Sequence, residues 1–293
     1  MLSPSDLILS APTVATDDFE ERVRAAAAAG FAGIGLSVPL YDSIRAAGAS
    51  ETEMSAVLRH YGVECAELLS LSGWAGDTVE MTRSRALEDR LYAISDAFGA
   101  RYMVVGSTRL GHSPEDVAAR FAAVCDRAAA HGLVVGLEFL PWTEIADAAS
   151  AWGIVELAGR SNAGILVDAW HMYNGPTDAS QLRAIPGERI VAVHFDDADA
   201  MSTGDLHQDA LRRRRLPGEG VLPLVEFVRT LDSLGVAVPY SVEILSDELN
   251  AVRAHEAARL AGDAARAVLA AARPQPRLDN DHGRPPRSPV PRC

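Results

Sequence analysis

Four residues able to hold a hard metal ion close four short apolar runs between residues 134 and 243 of this 293-residue chain. The runs are Val134-Val135-Gly136-Leu137-Glu138, Gly164-Ile165-Leu166-Val167-Asp168, Ile190-Val191-Ala192-Val193-His194 and Tyr240-Ser241-Val242-Glu243. A charged or polar group at the end of a doubly buried strand is badly placed for packing and well placed for chemistry. Any one of these carboxylates alone reads as a helix cap or an arginine partner. Four on consecutive strands read as a metal site. Three carboxylates and one imidazole form an oxygen-rich, borderline-hard donor set suited to Mn²⁺, Mg²⁺, Co²⁺ or Zn²⁺. Four protein ligands leave positions for two vicinal substrate oxygens, and an ion there polarises a carbonyl and acidifies the neighbouring C–H.

The elements that must position these groups follow from the apolar pattern. Candidate strands cover Leu7–Ser10, Gly33–Ser37, Glu64–Leu69 and Tyr102–Gly106, and the four runs above supply the fifth to eighth. Between them lie candidate helices over Asp18–Ala29, Ser50–His60, Val79–Phe98, a segment opened by Ser113-Pro114 and closed at Gly132, Ile145–Ala158, Ala179–Ala184, Leu222–Leu234 and Asp247–Ala272. Strand-helix alternation predicts an α/β fold with a parallel sheet covered by helices, and eight units match a closed (β/α)₈ TIM barrel better than an open sheet. In such a barrel Glu138, Asp168, His194 and Glu243, spaced by 30, 26 and 49 residues, converge above the core. The last gap is lengthened by a polar segment over 196–220, too long for an idle connection. The expected organisation is one catalytic barrel over residues 1–272 and a disordered Pro/Arg-rich tail over 273–293.

Composition narrows the function. Hydrophobic residues make up 48 % and charged residues 23 %, enough for a large core. The chain contains no lysine, so all 27 basic residues are arginine; Schiff-base aldolases, pyridoxal-phosphate enzymes and lysine-bearing P-loops are excluded. The net charge of −13 disfavours nucleic acid, which needs a basic face. No run of about 18 apolar residues suggests a membrane span, and Met1–Asp6 lacks the features of a signal peptide. A cytoplasmic protein acting on a small molecule is expected. Cys65, Cys125 and Cys293 fall in no ligand spacing, and the first two read as buried thiols.

The segments Leu137-Glu138-Phe139-Leu140-Pro141-Trp142-Thr143, Val167-Asp168-Ala169-Trp170-His171, Val193-His194-Phe195-Asp196-Asp197, Leu216-Pro217-Gly218-Glu219-Gly220 and Val242-Glu243-Ile244-Leu245-Ser246 together resemble the xylose isomerase-like sugar phosphate isomerase/epimerase family. The resemblance spans most of residues 5–270 and takes in tagatose 3-epimerase-like and 3-dehydroshikimate dehydratase-like members. It implies a TIM barrel holding one divalent metal, Mn²⁺ foremost, through Glu138, Asp168, His194 and Glu243. It also makes Glu138 and Glu243 the acid/base pair, moving a proton on opposite faces of a hydroxy-ketone sugar or polyol through a metal-stabilised enediolate. Substrate contacts are implied for Glu144, His171 and Arg214, although the run Arg212–Arg215 leaves the register of the arginine open. Homo-oligomers are frequent in the family.

Two departures stand out. Many relatives with this pattern carry Gln at the position of His194, and many carry Arg-Gly where this chain has Asn174-Gly175. Trp74, Trp142 and Trp170 sit near candidate strand ends, where they wall a pocket or simply pack. The competing activity is a dehydratase or lyase of the 3-dehydroshikimate or inosose type, which begins with the same proton abstraction. An abasic-site nuclease like endonuclease IV requires more histidines and a basic groove, and a non-catalytic barrel subunit has no need of the ligand set.

Overall fold

Apolar runs of three to eight residues become the strands, because only a sheet wrapped in helices buries both faces of such runs. The structure, a computed structural model, describes residues 2–106 and 111–274. The strands are β1 (Leu7–Leu9), β2 (Gly33–Ser37), β3 (Glu64–Leu71), β4 (Tyr102–Gly106), β5 (Val134–Glu138), β6 (Ala163–Asp168), β7 (Ile190–Phe195), β8 (Asp197–Ala198), β9 (Arg214–Arg215) and β10 (Tyr240–Val242). Eight of them close a parallel barrel in the order β1-β10-β7-β6-β5-β4-β3-β2, with β1 paired to both β2 and β10. The remaining two, β8 and β9, form a separate antiparallel ribbon. The expected TIM barrel is therefore present. The expected tail, apart from its first residues, lies outside the described residues.

Strand parity does the positioning. Successive side chains alternate between faces, and Leu166 and Ala192 belong to the apolar cluster that fills the barrel with Ile8, Ala66, Tyr102 and Val104. Two residues further on, the same inward parity is occupied by Asp168 and His194, which are register partners across β6 and β7. Glu138 ends β5 on that parity, and Glu243 follows β10 directly. The larger core lies between sheet and helices, where Phe121, Phe139, Phe195 and Phe227 are fully buried. Cys65 and Cys125 are buried free thiols in it.

Several elements depart from the expectation. A helix over Val38–Ala46 starts straight from β2, with Ser37 as N-cap and proline in its first turn. Asp168 likewise caps a helix over Ala169–Asn174. The final helix is broken: Ser246 caps Asp247–Asn250, and Ala254–Ala272 begins afresh. The 196–220 segment is organised, with helix Leu206–Arg212 between the two strands of the ribbon. Asp197 holds it, accepting hydrogen bonds from the amides of Gly218, Gly220 and Leu222 (2.9–3.1 Å).

Candidate metal centre

At the C-terminal ends of β5, β6, β7 and β10, Glu138, Asp168, His194 and Glu243 each direct one ligand atom to a common point. These atoms all lie within 4.8 Å of one another, and all four residues are buried. His194 Nδ1 is 3.2 Å from Glu243 Oε2 and 3.8 Å from both Glu138 Oε1 and Asp168 Oδ2. That nitrogen is buried and makes no hydrogen bond, a costly state for a polar atom unless a ligand or cation meets it. The other ring nitrogen, Nε2, lies 2.9 Å from Glu67 Oε2. Asp168 divides its oxygens: Oδ1 accepts from the His171 amide at 2.9 Å as the helix cap, while Oδ2 faces the site. The donor set and the bare imidazole nitrogen fit a divalent cation.

Arginine 214 settles the question left by its run. Its side chain is 3 % exposed, against 62 %, 39 % and 37 % for Arg212, Arg213 and Arg215. The ribbon aims it inward: Ala198 pairs with Arg214, and the Arg214 amide donates to Leu245 O at 3.1 Å. Its Nη1 lies 2.6 Å from Asp168 Oδ2 and 3.1 Å from Glu243 Oε2, and it also bonds Asp196. His171 joins the group, with Nε2 3.5 Å from Glu138 Oε1 and 3.4 Å from Arg214 Nη2. Glu144 is placed differently. It is exposed on the loop after β5, where it accepts from the Gly111 amide at 3.4 Å.

So many charges in little water split the protonation states. Burial, reinforced by Glu243 and Asp168, pushes the Glu138 carboxyl up to about 8 despite the opposing pull of His194. Burial would raise Asp168 too, but Arg214, His171 and His194 outweigh it and hold that carboxyl well below the usual range. Burial lowers His171 to about 4, leaving a neutral imidazole. His194 moves the other way: burial opposes its charge, yet Glu243 and Glu67 raise it well above an ordinary histidine. Glu67 is fully buried and absent from the sequence-derived set. Burial disfavours its charge, but His194, Ser10 and Tyr102 hold its carboxyl below the ordinary value.

The site opens into a cavity of about 950 Å³ that extends from Glu138 and Glu243 over the ends of β1, β2 and β3. Its walls there are largely small or apolar, including Pro12, Val14, Pro39, Leu40 and Leu69. Trp142 packs edge-on against Trp170 and His171, at ring-centroid distances of 6.3 and 5.2 Å. Trp74 instead packs on Phe121 and donates to Gly106 O, a role in the core.

The profile of the family described as "Xylose isomerase-like TIM barrel" matches residues 23–269. The chain belongs to this family. Among curated proteins of known activity, this xylose isomerase-like barrel is 30 % identical over 129 residues to a 3-dehydroshikimate dehydratase of Pseudomonas aeruginosa, covering 44 % of this chain and 20 % of the relative. It is 30 % identical over 135 residues to an inosose isomerase of Halalkalibacterium halodurans, covering 45 % of this chain and 47 % of the relative. The match thus spans less than half the length of either enzyme. Among solved structures, IOLI protein with a bound zinc atom superposes with a TM-score of 0.81 at 18 % identity, over 90 % of this chain and 98 % of the other. That last likeness concerns the fold.

Proposed function

We propose that this family member is a divalent-metal-dependent isomerase or epimerase acting on the vicinal hydroxy-ketone of a sugar or cyclic polyol. The observation that carries the reading is the buried, unpartnered Nδ1 of His194 facing three carboxylates. Glu138, Asp168, His194 and Glu243 would hold the metal; the donor set suits Mn²⁺ first, with Zn²⁺, Mg²⁺ and Co²⁺ as alternatives. When bound, such an ion supplies Lewis-acid polarisation of a substrate carbonyl, which lowers the pKa of the adjacent C–H. Glu138 and Glu243 come from β5 and β10, with β6 and β7 between them. A substrate seated between them has a carboxylate on each side. One glutamate removes the proton and the other returns it, at the same carbon or its neighbour. Neutral His171 donates a hydrogen bond to a substrate oxygen, Arg214 orients a second oxygen, and Glu144 at the rim contacts a distal hydroxyl.

Alignment to an inosose isomerase supports an isomerase. Alignment to a 3-dehydroshikimate dehydratase supports a second reading, in which the same proton abstraction is followed by loss of a β-hydroxyl. Solvent deuterium separates them. The isomerase returns label in recovered hydroxy-ketone, whereas the dehydratase yields an ultraviolet-absorbing enone or aromatic product. Under either chemistry, Glu243→Gln should slow proton exchange by about 10²-fold or more while far-UV circular dichroism stays unchanged. Exchange at the wild-type rate in that variant contradicts the assignment.

A further inference from the structure

Below the four candidate ligands the barrel carries a polar layer where apolar side chains would pack more cheaply. Glu67 Oε1 accepts from Ser10 Oγ at 2.6 Å, and Oε2 accepts from Tyr102 OH at 2.5 Å and lies 2.9 Å from His194 Nε2. These three partners lie on or next to β1, β4 and β7, so the carboxylate on β3 ties four strands together. Isolated charge in such a core costs several kcal/mol.

Two local features exist to put it there. Ala66 already faces the barrel interior, so strict alternation would turn Glu67 outward to the helices. Instead the register shifts between β2 and β3: Ile34 pairs with Cys65, but Gly35 pairs with Glu67. An extra residue in one strand re-aims the next side chain, as bulges near functional sites do. Gly35 then leaves the space, since a Cβ on it would stand 2.5 Å from Glu67 Oε1 and 3.0 Å from the Ala11 amide nitrogen.

The consequence falls on His194. With Oε2 2.9 Å away, the ring presents Nε2–H to Glu67, so Nδ1 is the nitrogen that gives up its proton and offers its lone pair when a cation enters. We propose that Glu67 is a positioning residue of the metal centre: it fixes the Nε2–H tautomer of His194 and aims Nδ1 at the point shared by Glu138, Asp168 and Glu243. The inference rests on the metal reading above. Carboxylate-imidazole pairs of this kind also raise the basicity of the ligating nitrogen.

The test is calorimetric titration of EDTA-stripped protein with Mn²⁺ and with Zn²⁺. Wild type, Glu67→Gln and Glu88→Gln are compared; Glu88 is a second buried carboxylate, engaged by Arg127 on the outer helices at 2.7 and 2.8 Å. Glu67→Gln should bind metal about 10–100-fold more weakly, and Glu88→Gln should bind like wild type even where it melts earlier. Equal affinity in wild type and Glu67→Gln overturns the inference and leaves the metal reading standing. Absence of binding in wild type overturns both. If Glu67→Gln does not fold, ¹⁵N-histidine NMR of the wild type decides the matter. Metal-loaded protein should show a slowly exchanging proton on His194 Nε2, and a proton on Nδ1 in its place refutes the role.

Discussion

Each candidate ligand ends an apolar run, and that mismatch between neighbour and terminus made the four legible in the sequence. Glu67 offered no such mismatch. It sits inside a run that reads as Glu-Cys-Ala-Glu-Leu-Leu, and its inward turn depends on a register shift between two strands. Arg214 was legible as one of four equivalent arginines, and burial alone singles it out. Protonation follows the same logic. With Glu138 pushed up to about 8 and His194 raised well above an ordinary histidine, both hold protons at pH 7 that must leave when a cation enters. Metal affinity should therefore rise with pH, more steeply below about 8, where both groups are protonated, than above it, where only His194 is. Calorimetry at pH 6, 7 and 9 in buffers of different ionisation enthalpy checks this. More protons should be released on binding at pH 6 than at pH 9, as Glu138 ionises between them; pH-independent affinity contradicts the assignment.

At the level of elements, the capping pair Ser113 with Pro114 located a helix start in the sequence, and the structure adds a capping box of Ser50 with Glu53. Two short helices escaped because each begins on the last residue of a strand, where Ser37 and Asp168 serve both elements. The 196–220 segment looked like an insertion and proves to be a tether: Asp197 gathers its returning end, and the ribbon delivers Arg214. Strand and helix glycines make opposite predictions. A Cβ on Gly164 in β6 would collide with the Val191 side chain and the Arg189 carbonyl, whereas one on Gly153 in helix Ala148–Ala158 meets nothing within 4 Å. Gly164→Ala should therefore destabilise by about 1–3 kcal/mol. Gly153→Ala should stabilise by up to about 1 kcal/mol. Urea unfolding of the two variants checks both signs, and a destabilised Gly153→Ala would contradict this account of the helix.

For the molecule as a whole, the centre joins β5, β6, β7 and β10 at one end of the barrel, so a bound ion should stabilise the fold by mass action. At a hundredfold excess over Kd the gain is about 2.7 kcal/mol, or roughly 5–10 °C in Tm for a domain of this size. Differential scanning fluorimetry with Mn²⁺ and with EDTA measures it; identical melting in both argues against a metal at this site. Parity and spacing along the chain determined that eight strands would alternate with helices and that four strand ends would carry metal-binding groups, because side-chain period and strand length are local properties. Only the closed barrel decided which oxygen of Asp168 faces the site, which arginine turns inward and that Glu67 stands behind His194. Those outcomes depend on register, on a bulge and on contacts between strands 127 residues apart, which no local pattern encodes.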